Sequence, residues 1–468
     1  MLFVRMLWYP RKPLHERDMT HLSNIANEIF QETLTQLDAG HGVRQTVQRE
    51  GESLQIAGEK VSGPVYAVAT GKAARPMAMA LSEILVEQLT AGVLSGPESG
   101  MRPITSGNEL DGRWRVFVGG HPVPNEASLQ AAQAAFALLR RADAERANVI
   151  FLISGGGSAM LEWPLNERLK LANLQQTNQI LVNCGASIGE INTVRRALSA
   201  VKGGGLARRA PNAKQFSLII SDTNPGDEAS VASGPTMAPP DDAPEVWEVL
   251  RRYDLAPRLP PLVVDALSGL KRLPAPSLKH SRHHVLLDQN SALCAVAECA
   301  KKRGYDCEIM SDIVEQPIEE GARLLFERLL QRRELHASDN TKSLVGIVSA
   351  GEFSCPVRGA GQGGRSSETA LRLAILLDRK REWFAAQGWK VVALCAGTDG
   401  IDGNSPAAGA VATTKTLNRA RAKGLAAEGF LARSDSYNFF AALGNALITG
   451  PTGTNVRDVR ILLAARNC

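Results

Sequence analysis

The sequence lacks the features that mark secreted, membrane and nucleic-acid-binding proteins. Its 468 residues contain seven cysteines and no C-x-x-C pair, and this odd number predicts reduced thiols in the cytoplasm rather than a disulfide framework. No run reaches the roughly 18 apolar residues of a membrane helix. The net charge is only +5, from 53 Lys+Arg against 48 Asp+Glu. Because charges of both signs alternate, we expect neither a nucleic-acid nor a membrane partner.

Two familiar nucleotide-binding fingerprints are also missing. Gly71-Lys72 is followed by Ala73, so the G-x-x-x-x-G-K-[ST] pattern of a P-loop is not formed. No G-x-G-x-x-G follows the first predicted strand with an acidic residue about 20 positions later. A nicotinamide site is therefore poorly supported, although a glycine triplet later in the chain keeps it open.

The length and the order of the predicted elements indicate two domains. Residues 1–18 are expected to be a disordered extension, because the first helical pattern begins after Met19. A Rossmann-like α/β domain is predicted over 19–265, a linker rich in proline and basic residues over 266–283, and a C-terminal α/β domain over 284–468. Strands alternate with helices, so we expect two α/β/α domains with largely parallel sheets, in which ligands bind beyond the carboxyl ends of the strands.

The most informative stretch is IFLISGGGSAM, at 150–160. A buried strand is predicted to end at Ser154, followed by Gly155, Gly156, Gly157 and Ser158. Without side chains in the way, the backbone N–H groups of such a loop can converge on a phosphate. The plainer alternative is a tight strand-to-helix turn without a ligand.

Other predicted strands end in charged residues. Lys72 follows the strand VYAVAT, and Asp222 follows FSLII in the loop SDTNPGD, which also contains Asp227. Because the carboxyl ends of parallel strands share one edge, Lys72, Asp222 and the glycine triplet should lie together. The alternatives are a surface lysine and turn acids that bind their own backbone.

The second half adds a cation and further turns. Arg365 follows two glycines in GQGGRSSE, a position suited to bidentate phosphate contacts. Asp399 and Asp402 in GTDGIDG resemble a cation loop, and the turns at 233–236 and 450–455 are candidate anion sites. His121, before Pro122, is interpreted as a turn histidine. Cations, acids and glycine-rich turns together favour phosphoryl transfer.

At these residues the chain resembles the glycerate 2-kinase family, two-domain kinases whose C-terminal part is called the MOFRL domain. The resemblance spans about 400 residues in family order, and its segments are ATGKAA, GGHPVPNE, ISGGGSAM, GASIGEINTVRRALSAVKGGGLA, SDTNPGDEASVASGPT, GQGGRSSETAL, AGTDGIDGNSPAAGA and TGPTGTNVRD. It implies transfer of a phosphoryl group from ATP, with Mg²⁺, to D-glycerate, usually at the 2-hydroxyl, in an active site in the cleft between the two α/β domains. Family members have also been labelled hydroxypyruvate reductases.

The resemblance implies roles for individual residues. The expected catalytic residues are Lys72, Asp222 and Arg365. The expected metal ligands are Asp222, Asp227 and Asp399. The expected substrate-binding residues are Arg195, Ser199 and Glu352. The expected nucleotide- and phosphate-binding residues are Gly155, Gly156, Gly157, Ser158, Lys202, Gly450, Thr452, Thr454 and Asn455.

The sequence departs from the family pattern at two loops. Ser366 and Ser367 stand where the family has an Asn-Gln pair, and the loop after Asp222 is one residue longer. These changes leave two alternatives to a glycerate kinase: an NAD(P)H-dependent hydroxypyruvate reductase, and a catalytically silent protein that binds a nucleotide or metabolite. A homodimer is also left open.

Overall fold

The computed structural model describes residues 21–51, 53–98, 110, 112–269, 280–337 and 344–466. The predicted extension at 1–18 and most of the predicted linker at 266–283 lie outside these ranges. Within them, no helix is both long and apolar enough to cross a membrane.

The described chain begins with two helices and a small antiparallel sheet. These elements are α1 (His21–Gln36), α2 (Ala39–Thr46), β1 (Val47–Glu50), β2 (Ser53–Ile56) and β3 (Glu59–Val61).

The first large sheet has six strands, and every neighbouring pair is parallel. Its strands are β4 (Val65–Thr70), β5 (Leu89–Gly96), β6 (Trp114–Val118), β7 (Asn148–Ser154), β8 (Lys214–Ile220) and β9 (Ser281–Leu287). The helices of this region are α3 (Ala74–Leu85), α4 (Glu126–Ala144), α5 (Gly157–Met160), α6 (Leu171–Val182), α7 (Ile188–Leu198), α8 (Val246–Arg252) and α9 (Pro261–Ser268). The spatial order is β6-β5-β4-β7-β8-β9, so β4, β7 and β8 lie at the centre.

The central strands are apolar throughout because both faces of the sheet are covered. Along β7, Ile150 and Leu152 belong to the core on one face. Val149, Phe151 and Ile153 alternate with them and belong to the core on the other face. This burial on both sides fixes the register of β7 and places its carboxyl end, at Ser154, at the edge of the sheet.

The second large sheet is mixed, which corrects the expectation of two largely parallel sheets. Its strands are β10 (Asp306–Met310), β11 (Leu344–Ala350), β12 (Trp389–Gly397), β13 (Gly409–Thr413), β14 (Ala446–Leu447) and β15 (Asp458–Arg466). Its helices are α10 (Gln289–Lys302), α11 (Ile318–Ala337), α12 (Arg365–Arg379), α13 (Arg381–Ala386), α14 (Thr416–Ala422), α15 (Ala427–Ala432) and α16 (Ser436–Leu443). The order is β10-β11-β15-β12-β13-β14. Only β10 and β11 pair in parallel, because the last strand inserts antiparallel between β11 and β12.

The structure also differs from the predicted domain boundary at 284. Strand β9 pairs with β8 and completes the first sheet, so that sheet extends through Leu287. Helix α1, which was assigned to the first domain, instead packs on α10, β12 and β15 of the second. The described chain thus begins on the second domain, builds the first and returns to the second, so it crosses between the two domains twice.

Candidate active site

Three loops meet at the carboxyl edge of the first sheet. Lys72 follows β4, the glycine triplet at 155–157 follows β7, and Asp222 follows β8. Because these strands are parallel neighbours, their carboxyl ends lie side by side. The backbone N–H of Lys72 donates to the carbonyl of Gly155 at 2.9 Å, so the first two loops are in direct contact.

Two positions in these loops require glycine. A Cβ atom on Gly155 would lie 1.9 Å from Oδ2 of Asp222, so the close approach of the glycine triplet to this carboxylate leaves no room for a side chain. Gly71 has φ +110°, and a Cβ atom there would lie 2.4 Å from the carbonyl oxygen of Ser154. The approach of Gly155 to Asp222 means that the second and third loops are also in contact. Close backbone packing at these glycines sets the spacing of the loops.

Lys72 connects this edge to the second domain. Its Nζ lies 2.8 Å from Oδ2 of Asp399, in the loop after β12, and both side chains are largely buried, at 26% and 16% exposed. The backbone N–H of Ile401 donates to the other carboxylate oxygen at 3.0 Å, which fixes the orientation of Asp399. The two domains are thus linked by an ion pair at the candidate site.

A cavity of about 480 Å³ opens beside these loops and is walled by both domains. Six of the residues predicted from the sequence line it: Gly156, Ser158, Arg195, Asp222, Asp227 and Glu352. Further polar residues in its wall are His121, Asn178, Asn192, Glu315 and Arg457. The cavity therefore combines carboxylates, guanidinium groups and a glycine-rich backbone, as a phosphorylated ligand requires.

Asp222 is the carboxylate that connects the loops with the cavity. Its burial raises the pKa above the usual range for aspartate, while Lys72 and then Arg457 oppose that shift. The carboxylate accepts a long hydrogen bond from Nδ2 of Asn455 at 3.4 Å. Because this bond is weak, Asp222 keeps oxygen atoms available for a metal ion or for a substrate hydroxyl.

Arg365 reaches the cavity through Glu352. Its Nη2 lies 2.8 Å from Oε1 of Glu352, and its Nε lies 3.2 Å from Oδ2 of Asp458. Burial on its own would lower the pKa of Arg365, but Asp458 and Glu352 outweigh it and raise that pKa. Burial raises the pKa of Glu352, and Arg365 opposes the shift. The side chain is 40% exposed, but Arg365 does not itself line the cavity.

Arg195 lines the cavity from α7 of the first domain. Its Nε donates to Oδ1 of Asn178 at 2.8 Å, which orients the guanidinium. Burial lowers the pKa of Arg195, and Glu162 partly offsets that effect. An oriented, partly desolvated guanidinium is well suited to bind a carboxylate in two-point contact.

The structure does not bring Lys202 or Ser199 to the cavity. Lys202 is 2% exposed, and its ammonium forms an ion pair with Glu162, which is also buried. Ser199 donates to the same carboxylate. Lys202 and Ser199 both bind Glu162 in an internal polar cluster. The predicted contacts of Lys202 with phosphate and of Ser199 with substrate do not fit this arrangement.

The three predicted metal ligands are not gathered at one point. Among the described residues, no group of three His, Cys, Asp or Glu side chains could hold a metal ion. Asp399 is paired with Lys72, and Oδ1 of Asp227 accepts a hydrogen bond from Ser230 at 2.8 Å. Asp222 and Asp227 line the same cavity, so these two remain the candidates.

The turn at 450–455 lies against both loops that carry charge. Oγ1 of Thr452 donates to the carbonyl of Thr398 at 2.6 Å, and Asn455 contacts Asp222. Oγ1 of Thr454 is buried without a hydrogen-bond partner in the described part of the chain, while Gly450 packs its carbonyl beside Gly400. The turn thus belongs to the cleft, with Asn455 nearest to the acidic loop.

Ser366 and Ser367, which depart from the family pattern, are buried at the start of α12. Their backbone N–H groups each donate to the carboxylate of Asp402 at 2.9 Å. Burial raises the pKa of Asp402 to about 6. Asp402 thus caps a helix instead of joining Asp399 in a cation loop, and the serine pair packs behind Arg365.

Sequence reasoning missed two residues in the cavity wall. His121 was interpreted as a turn residue, yet it lines the cavity opposite Gly156. Arg457, in the segment TGPTGTNVRD, lies in the same wall at φ +74°. The available signals were their positions, after β6 and before β15, and their place in the segments GGHPVPNE and TGPTGTNVRD of the family resemblance, which assigned neither residue a role.

Two family models match the chain. The model for the domain of unknown function DUF4147 matches residues 25–268, and the model for the MOFRL family matches residues 345–458. Together they cover most strands of both large sheets, whereas β9, β10 and all of β15 after Asp458 lie outside the matched residues.

Named relatives cover almost the whole chain. The D-glycerate 2-kinase of Thermotoga maritima is 32% identical over 457 residues, which cover 95% of this chain and 99% of that protein. A protein of Agrobacterium vitis that carries the provisional name of hydroxypyruvate reductase is 34% identical, over 86% of this chain and 88% of its own. The crystal structure of glycerate kinase from Thermotoga maritima superposes with a TM-score of 0.78 at 30% identity, covering 95% of this chain and 99% of that one.

Proposed function

The chain belongs to the glycerate kinase family, with its DUF4147 and MOFRL parts, and from this premise we propose that it transfers the γ-phosphoryl group of ATP to D-glycerate. The proposed acceptor is the 2-hydroxyl, so that the products are 2-phosphoglycerate and ADP. We also propose that the enzyme acts in the cytoplasm, since the six described cysteines are all free thiols.

The observation that carries this proposal is the contact among the three loops. An ammonium, a glycine triplet and a carboxylate from three separate strands meet at one edge, beside a cavity lined by Arg195 and Glu352. Phosphoryl transfer depends mainly on positioning and charge neutralisation. This edge supplies both, because its backbone is rigid and its cations are held by carboxylates.

On the donor side, we assign phosphate contacts to Lys72 and to the backbone of residues 155–158. The ammonium of Lys72 is paired with Asp399 beside the glycine triplet, so phosphate binding requires that it exchange this carboxylate for a phosphate oxygen. Arg365 would offset negative charge on the transferring group from the second domain, and it adjoins the cavity through its ion pair with Glu352. Each of these cations stabilises charge that grows as the phosphoryl group moves.

Asp222 and Asp227 are the residues that fit a Mg²⁺ ion. Proteins usually hold Mg²⁺ through one or two carboxylates together with the phosphates of the substrate. Two carboxylates in one cavity, one of them with only a long hydrogen bond, match that requirement. Bound Mg²⁺ would neutralise phosphate charge. Asp222 is equally placed to accept the proton of the glycerate hydroxyl. Titration with Mg²⁺ separates its role as a metal ligand from its role as a general base.

On the acceptor side, we assign the carboxylate of glycerate to Arg195. Asn178 holds the guanidinium in a fixed orientation, and the cavity volume of about 480 Å³ accommodates a three-carbon acid beside the phosphates. Glu352 faces the same space and is available as an acceptor for a glycerate hydroxyl.

Phosphorus NMR of the product tests the proposal directly. Wild-type protein is incubated with D-glycerate, ATP and Mg²⁺, and the spectrum distinguishes 2-phosphoglycerate from 3-phosphoglycerate. A parallel reaction with hydroxypyruvate and NADH, without ATP, tests the reductase alternative. Formation of 3-phosphoglycerate would overturn the regiochemistry, and nicotinamide turnover without any phosphorylated product would overturn the kinase itself.

A further inference from the structure

Arg457 is the most constrained charged residue in the cleft. It is 5% exposed and adopts φ +74°, a conformation that residues with a Cβ atom rarely take. Strand β15 begins at the next residue, Asp458. The unusual backbone angle at Arg457 thus marks the point at which the chain leaves the cleft and enters the sheet.

The guanidinium of Arg457 bridges the two domains. Its Nη1 donates to Oδ1 of Asn224 and, at 3.0 Å, to Oε1 of Gln289. Its Nη2 donates to Oε1 of Glu315 at 2.7 Å. Nδ2 of Asn224 donates to the same glutamate oxygen at 2.9 Å, so Asn224, Arg457 and Glu315 form a closed triangle of hydrogen bonds.

Asn224 connects this triangle to the acidic loop. It lies two residues after Asp222, in a loop of the first domain, whereas Glu315 and Arg457 belong to the second. Oδ1 of Asn455 accepts a hydrogen bond from the backbone N–H of Arg457 at 3.2 Å, and the amide of Asn455 contacts Asp222. The Asp222 loop is therefore tied to the segment around Arg457 at two points.

The backbone of Arg457 contacts the segments next to the other predicted catalytic residues. Its carbonyl accepts hydrogen bonds from the N–H of Thr398 at 3.1 Å and from its Oγ1 at 2.7 Å. Thr398 directly precedes Asp399, the partner of Lys72, and Asp458 directly follows Arg457 and contacts Arg365. One short segment thus touches the surroundings of Lys72, Asp222 and Arg365.

We propose that Arg457 is a positioning residue that clamps the Asp222 loop of the first domain against the second domain through Asn224 and Glu315. Both of its Nη atoms are bonded to protein acceptors, which favours this positioning role over a contact with phosphate, although its Nε has no partner among the described residues. The role in catalysis rests on the proposed kinase function, whereas the clamp itself is a property of the folded chain. A lysine cannot replace it, since one ammonium cannot hold three acceptors in this planar arrangement.

Kinetics with D-glycerate and ATP test the catalytic side. Arg457→Gln and Arg457→Lys are each expected to lower kcat roughly 10- to 100-fold with little change in either KM, because a loosened loop misplaces Asp222 without removing a ligand contact. Asn224→Ala combined with Arg457→Gln should be no slower than Arg457→Gln alone. Arg332→Gln, which removes a partly buried arginine paired with Asp306 far from the cleft, serves as the control with unchanged kinetics.

Hydrogen–deuterium exchange tests the clamp without any substrate. In Arg457→Gln, amide exchange should rise in peptides that cover residues 222–228 and stay unchanged in peptides that cover α7. A raised KM at constant kcat would identify a direct ligand contact and overturn the proposal. So would additive losses in the double variant, or an exchange increase across the whole second domain. If the wild-type protein does not phosphorylate glycerate, the exchange measurement still decides whether the clamp exists.

Discussion

The ammonium of Lys72 and the carboxylate of Asp399 form a 2.8 Å ion pair that joins the loop after β4 to the loop after β12. The pair holds the predicted phosphate-binding lysine between the domains before any phosphate is present. Asp399 thus has a role that its sequence context did not suggest, since GTDGIDG resembled a cation loop. The ion pair implies that the lysine and the aspartate act as one unit.

Substitution of Lys72 is expected to be more damaging than substitution of its partner. Lys72→Ala should lower kcat with D-glycerate about 10²- to 10³-fold, the usual loss when a group that stabilises transition-state charge is removed. Asp399→Asn should cost less, because it leaves the ammonium in place with a weaker partner. Steady-state kinetics on both variants and on the double variant measure the coupling. Lys214→Ala, at the opposite edge of the first sheet, is the matched control.

If Asp399→Asn were as inactive as Lys72→Ala and recovered at high Mg²⁺ concentration, Asp399 would be a metal ligand after all. Wild-type activity in Lys72→Ala would remove the lysine from the mechanism.

Gly155→Ala should disable the site while the fold persists. The added Cβ atom would meet Oδ2 of Asp222, so the carboxylate must move, and a displacement of this size costs on the order of 10²-fold in kcat. Gly189→Ala is the matched control, because an added Cβ atom at Gly189 meets nothing within 4 Å. Kinetics and thermal melting of the two variants form the comparison. Equal activity in both would mean that the contact between the glycine triplet and Asp222 is dispensable.

Arg195→Ala should affect the binding of glycerate selectively. A hydrogen bond to a charged group contributes about 1.5–3 kcal/mol, so the KM for D-glycerate should rise roughly 10- to 100-fold. The KM for ATP should not change, because the phosphates are assigned to Lys72 and to the backbone of residues 155–158. Initial rates at varied glycerate and varied ATP give both constants. A rise confined to the KM for ATP would place the nucleotide, and not the acid, at Arg195.

Local patterns predicted the edge of the first sheet well, and long-range pairing explains what they missed. The apolar run before Ser154 and the glycines after it specify a buried strand and a close turn by themselves. The place of β15 between β11 and β12 depends on contacts about 60 to 120 residues away in the sequence, which no local pattern contains. The packing of α1 on the second sheet escaped prediction for the same reason.

For individual site residues too, local patterns predicted some and missed those that depend on long-range contacts. Lys72 and Asp222 were predicted from their positions after strands, and the structure brings their loops together. Arg457 was missed because its importance depends on Asn224 and Glu315, which lie 233 and 142 residues away. A charged residue at the start of a strand is ordinarily exposed, so its sequence context gave no reason to single it out.

His121 should titrate well below the ordinary range for histidine. The residue as a whole is exposed, but the cavity wall removes part of the water around the imidazole; this desolvation, and then Lys72, lower the pKa to about 4. Because the folded-state pKa lies below the unfolded value, the contribution of His121 to stability is complete above about pH 6.5 and is lost as the pH falls toward 4. NMR titration of the imidazole measures this pKa, with His41, which lies outside the cavity wall, as an internal comparison. A midpoint near pH 6.5 would contradict the expected desolvation of the His121 imidazole.

Lys202→Met should destabilise the fold rather than impair nucleotide binding. The substitution leaves Glu162 buried without its cation, and breaking a buried ion pair in this way costs about 3–5 kcal/mol. The double variant Lys202→Met with Glu162→Leu removes both charges and should recover much of that loss, although the hydroxyl of Ser199 then loses its acceptor. Urea unfolding at constant pH gives the free energies of the single and double variants.

Nucleotide binding then separates the two interpretations of Lys202. If the ammonium serves only the internal cluster with Glu162, the folded double variant should retain the wild-type KM for ATP, because nothing in the cavity wall has changed. The family resemblance implied that Lys202 contacts a phosphate. In that case the KM for ATP would rise in the single and the double variant alike, even where stability had been recovered. The buried position of the ammonium, 2% exposed and paired with Glu162, favours the first outcome.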